Sequence, residues 1–98
     1  MKNDVPDSEF SLLLREVLKH LADHPDAKDS VEGIHSFWLS HRTRHSSREK
    51  VRQVLDYLVD EKGWLTRKPS GAAVTLYGLD KKYLAEVRDY LRRCGDAV

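Results

Sequence analysis

Apolar residues in the first third of the chain fall at helical intervals. Phe10, Leu13, Leu14, Val17, Leu18 and Leu21 stand three or four positions apart, the spacing that stacks side chains on one helical face. Asp7 or Ser8 can cap this helix, and Pro25, which has no N–H to donate, predicts its end near Asp23. After a loop of about five residues, Asp29 or Ser30 begins a short second helix. Glu32 is an approximate capping-box partner there, and Val31, Ile34, Phe37, Trp38 and Leu39 supply apolar bulk for the interior. The stretch from Ser40 to His45 holds no apolar residue and reads as a solvated turn before a fresh cap at Ser46 or Ser47.

A third helix is predicted over about 47–62, with Val51, Val54, Leu55 and Leu58 as its buried stripe and Gly63 as its left-handed stop. The pattern then changes period. Trp64-Leu65-Thr66, a turn over Arg67 to Gly71, and Ala73 to Tyr77 give an extended, turn, extended sequence, the mark of a short β-hairpin. Asp80 caps a last helix carrying Tyr83, Leu84, Val87, Tyr90 and Leu91, closed by Gly95. The fold class is therefore mainly α with a small β-hairpin. Residues 8–79 form one domain, 80–94 a C-terminal helix, and 1–7 and 95–98 flexible ends.

Composition narrows the function. The chain has 98 residues, room for one core, and its 17 basic and 16 acidic side chains leave a net charge of +1, which excludes a uniformly basic binder. The balance is uneven along the chain: residues 1–29 hold 4 basic and 7 acidic side chains, residues 30–52 hold 5 and 2. Arg42, Arg44, Arg48, Lys50 and Arg52 meet only Glu49 in the segment 41–52, with His41 and His45 able to add charge in acid. One cysteine, Cys94, makes no internal disulfide and suits a reducing, cytoplasmic setting. Early charges of both signs and a first apolar run of only Leu12 to Leu14 predict neither a signal peptide nor a membrane span.

The order of elements resembles the winged helix-turn-helix superfamily over about residues 8–79, with a three-helix core, a wing and a C-terminal helix. The most specific stretch runs from Ser47 to Arg67, where buried Val51 is followed by the polar pair Arg52-Gln53, the apolar pair Val54-Leu55, then Leu58 and Gly63. The resemblance implies a DNA-binding module, as in small transcriptional regulators, whose third helix enters the major groove. With the stripe inward, Glu49, Arg52, Gln53 and Asp56 lie outward or on the flanks. Arg can pair bidentately with guanine and Gln with adenine, so Arg52 and Gln53 are the candidate base readers. Ser47, Arg48, Arg42 and Arg44, with Ser46, are candidate phosphate contacts, and Arg67 and Lys68 are candidate wing contacts.

Glu49 and Asp56 oppose a polyanion on the same face. Their alternative use is as ion-pair partners of Arg52 at three and four residues. A protein-interaction adaptor without DNA binding is the competing reading, supported by the near-zero net charge. The last helix is expected either to pair with a second copy in a homodimer or to pack back on the first helix. His20 and His24, and His41 and His45, lie four apart but lack a cysteine or a His-Glu-x-x-His pattern, so no metal site is predicted. His35 is expected to be partly buried near Trp38. No nucleophile, base and orienter set and no phosphate-loop spacing occurs, so neither an enzyme nor a cofactor is expected.

Overall fold

The computed structural model describes residues 8–40, 43, 45–71 and 73–95. The ends at 1–7 and 96–98, and His41, Arg42 and Arg44 of the basic turn, lie outside the described residues. Helix α1 spans Ser8–Asp23 and α3 spans Arg48–Asp60. Between them come a two-residue strand β1, Lys28–Asp29, and a short α2, Val31–Gly33, which widens into a π-helical turn, Ile34–Trp38. Strands β2, Leu65–Ser70, and β3, Val74–Leu79, follow, then a 3-10 turn at Lys81–Tyr83 leading into α4, Leu84–Gly95. The result is a mainly helical unit with a small antiparallel sheet of order β1-β3-β2. No described helix is long and apolar enough to cross a membrane.

The core forms where the periodic stripes meet. Leu13, Val17, Leu18 and Leu21 of α1 and Val51, Val54, Leu55 and Leu58 of α3 are fully enclosed, together with Ile34 and Val87. Each such aliphatic side chain contributes about 1.5–3 kcal/mol by leaving water. Val87 sits on α4, and Arg88 donates to the Ala22 carbonyl at 3.1 Å, so α4 lies against the C-terminal end of α1.

The helix ends obey local chemistry. Ser30 caps α2, its hydroxyl accepting from the Gly33 N–H at 3.1 Å, while the Asp29 carboxylate accepts from the Ser30 N–H at 2.8 Å. A Cβ at Gly33 would overlap that carboxylate, so any other residue there would push Asp29 off the Ser30 N–H. Glu32 does not complete a capping box; it pairs with Arg48 at 3.0 Å. Gly63, with φ of 69°, ends α3 and turns the chain so that the Trp64 N–H reaches the Leu58 carbonyl at 3.1 Å.

Four further sequence expectations change. Phe37 is not interior but 81% exposed, while Trp38 is buried. The wider π turn keeps Trp38 near the line of Ile34 and swings Phe37 outward. Ser40 and Thr43 of the polar stretch before α3 are anchored rather than solvated: Thr43 is 2% exposed, Glu16 accepts from the Ser40 N–H at 3.0 Å, and His35 lies 2.6 Å from the Ser46 carbonyl through Nε2. Buried polar groups need such partners. The segment Arg67 to Ser70 is strand, not turn, because β2 is an edge strand where Pro69 can be accommodated, and the reversal moves to Gly71 and Ala73, whose φ is 62°. Finally, the expected loop after α1 contains β1, which pairs Lys28 with Gly78 and Asp29 with Tyr77.

His20 stacks on Trp38 with ring centroids 4.2 Å apart and lies 4.9 Å from His24. Partial burial, then the neighbouring His24, hold its imidazole below the ordinary value of about 6.5. The folded chain thus binds that proton more weakly than the unfolded chain, and the associated stability is lost as pH falls through about 6.5 toward the lowered value. The urea midpoint is expected to drop between pH 7.5 and pH 5.5, and His20→Phe, which keeps the stack, should shrink the drop; an unchanged drop would exclude His20 as its source. Leu58→Ala should cost about 2–5 kcal/mol in urea unfolding, since it empties a fully enclosed site.

Candidate nucleic-acid interface

The exposed side of α3 follows from the burial of its stripe. Ser47 caps the helix, its hydroxyl accepting from the Lys50 N–H at 3.1 Å, which leaves the Ser47 proton available to an acceptor outside the chain. Arg48, Glu49, Arg52 and Gln53 are exposed, as the helical spacing predicts. Ser46 is 5% exposed, so it supports the turn and does not reach a surface phosphate. Arg67 and Lys68 stand on β2, which runs beside α3, and both are exposed.

Carboxylates hold most of these cations. Nη2 of Arg52 lies 2.7 and 2.9 Å from the two oxygens of Glu49, and Nη1 lies 3.8 Å from Asp56. These are the pairs at three and four residues that the sequence suggests. Arg67 donates to Asp56 at 2.8 Å and to Asp60 at 3.2 Å, linking the hairpin to the helix. The same Asp56 oxygen accepts from the Tyr77 hydroxyl at 2.9 Å. Arg48 is tied to Glu32. Among the described residues, Gln53 and Lys68 make no side-chain hydrogen bond or ion pair.

Electrostatics follow from these bonds. The guanidinium of Arg52 is held above its ordinary value chiefly by the bond to Glu49, and that of Arg67 chiefly by the bond to Asp56. Burial raises the Tyr77 hydroxyl, Asp56 raises it further, and Arg67 partly offsets the rise. Arg48, Arg52 and Arg67 are paired with Glu32, Glu49, Asp56 and Asp60, and with the nearby Lys68 these four cations match the four carboxylates in number.

Between α3, the start of α2 and the hairpin lies an open groove of about 590 Å³. Arg52 and Asp56 form one wall, Arg67, Thr75 and Tyr77 another, and Ser30, Val31 and Glu32 a third, with Val74 at the rim. Of the sequence-derived candidates, Arg52 and Arg67 come together across Asp56, Arg48 stands beside Glu32, and Gln53 and Lys68 are exposed outside the network. Arg42 and Arg44 fall outside the described residues.

The sequence reading missed the parts that hold these groups. Asp60 and Tyr77 as partners around Asp56, and Glu16 and His35 as anchors of the turn, depend on contacts between distant segments. The i, i+4 spacing of Asp56 and Asp60 was the one available signal, since it places both carboxylates on one side of α3. Among the described residues no group of three or more His, Cys, Asp or Glu is placed to hold a metal. Comparison of the chain with protein-family models, with curated proteins and with solved structures gives no match.

Proposed function

We propose that the protein is a winged helix-turn-helix module that binds duplex DNA, with α3 in the major groove and the β2–β3 hairpin as the wing. The observation that carries this reading is the placement of Arg52 and Gln53 on the exposed side of a rigidly packed helix, with Arg67 and Lys68 on a hairpin across an open groove. The sheet order β1-β3-β2 and the succession of three helical segments before the hairpin support it. Arg52 and Gln53 read base edges, while Ser47, Arg48, Lys68 and the basic turn with Arg42 and Arg44 hold phosphates. The module is cytoplasmic, takes part in transcriptional regulation, and needs neither cofactor nor catalytic group.

The paired arginines are compatible with this role. Exposed ion pairs are worth about 0–1 kcal/mol each, so phosphate can replace carboxylate at a cost that specific contacts can offset, and a paired guanidinium is already held in one place. The neutral local surface and the exposed Phe37 favour a second reading, a protein-interaction adaptor built on the same fold.

Fluorescence-anisotropy titration of a mixed-sequence duplex at several salt concentrations separates the two. DNA binding through about four phosphates gives a slope of log affinity against log salt near −3 to −4. Arg52→Gln should relax the preference among sequences selected from a random pool, with a loss of about 1–3 kcal/mol of discrimination at the affected base pair. Lys68→Gln should weaken all sequences alike and make the slope shallower by about one unit. Absence of salt-dependent binding would overturn the DNA reading in favour of the adaptor.

A further inference from the structure

Asp56 is placed as no other carboxylate of the described surface is. It stands mid-way along α3, 31% exposed, and faces both cationic walls of the groove. One oxygen accepts from Arg67 of the hairpin and from the Tyr77 hydroxyl of β3, and the other faces Arg52 of the same helix. Tyr77 is 4% exposed, which fixes the hydroxyl that orients the carboxylate. Glu49, Asp60 and Glu32 each hold one arginine at the rim, and Asp89 pairs with two of its own helix; among the described carboxylates Asp56 alone faces arginines of two different elements.

We propose that Asp56 is an internal competitor for the nucleic-acid backbone: its carboxylate occupies Arg67, so that a phosphate engages that guanidinium only by displacing it, which suppresses sequence-independent binding. This rests on the DNA reading above and adds a device that reading does not require. The physical basis is shared geometry. Carboxylate and phosphate oxygens offer guanidinium the same acceptors, but Asp56 is tethered and oriented by Tyr77, so its effective concentration beside Arg67 exceeds that of any non-specific phosphate. A duplex whose bases satisfy Gln53 and Arg52 supplies further contacts that offset the displacement; a random duplex does not. Arg52 keeps its two contacts with Glu49 when the Asp56 carboxylate is displaced, so the competition acts at the wing.

The test uses Asp56→Asn, which keeps an acceptor for the Tyr77 hydroxyl and the size of the side chain. Glu86→Gln, on exposed α4, changes net charge by the same amount away from the interface. Asp60→Asn removes a carboxylate that touches Arg67 only. Binding to a mixed-sequence duplex and to the best pool-selected duplex is measured by anisotropy across a salt series, with urea unfolding to verify that each variant folds. Asp56→Asn is expected to bind the mixed duplex about tenfold more tightly than Glu86→Gln at the same salt, with a slope steeper by about one to two units and a smaller ratio between selected and mixed duplexes. Asp60→Asn should give a smaller gain in the same direction, and it supplies the readout if Asp56→Asn unfolds. If the wild type binds and neither Asp variant exceeds Glu86→Gln, the competitor role is overturned while the DNA reading stands. If no form binds, both fall.

Discussion

The fold depends on the burial of one narrow stripe. Val51, Val54, Leu55 and Leu58 have no exposed surface, and they hold α3 in a single rotational setting against α1 and the sheet. A helix held on one side presents the other as a fixed template, and Arg52, Gln53 and Asp56 inherit their positions from that rotation. The hairpin is registered to the same helix by Leu65 and Tyr77, which join the core from β2 and β3. Interface geometry is thus a by-product of packing: the apolar side determines where every polar group of α3 stands.

What could be read from the sequence divides along local and non-local lines. The stripe of α1 and that of α3, the Ser47 cap, the Gly63 stop and the exposed Arg52 and Gln53 all follow from spacing within one segment, and each has the place its spacing predicts. Strand β1 was not legible, because two residues carry no period and their pairing with Tyr77 and Gly78 is a property of the assembled sheet. An α-helical period puts Phe37 in the interior, but the chain takes an i→i+5 turn there and Phe37 faces out. The buried Thr43 within a wholly polar stretch shows the same limit: composition says water, while the bonds from Ser40 to Glu16 and from His35 to Ser46 say anchorage.

The candidate site shows this division most clearly. Pairing of Glu49 with Arg52 was legible at three residues, but the link from Asp56 to Arg67 and Tyr77 spans 11 and 21 positions. Only the folded chain brings an acidic residue of the helix against a basic residue of the hairpin. The cluster therefore joins two segments that the sequence presents as separate, and it turns a row of isolated charges into a network in which altering one member redistributes the partners of the others.

The sheet is held unevenly along its length. At Gly78, β1 passes so close that an added Cβ would lie 2.8 Å from the Lys28 side chain and 3.3 Å from the Ala27 carbonyl, and Tyr77 is the last residue of β3 that β1 reaches. From Val74 to Leu76 the strand has only β2 for company. The hairpin is thus a beam held at its root from two sides, by the strand that follows α1 and by the bonds of Arg67 and Tyr77 to α3. Bending stiffness in such a beam is set where it is held, so a two-residue strand and one carboxylate of α3 together determine how rigidly the hairpin stands.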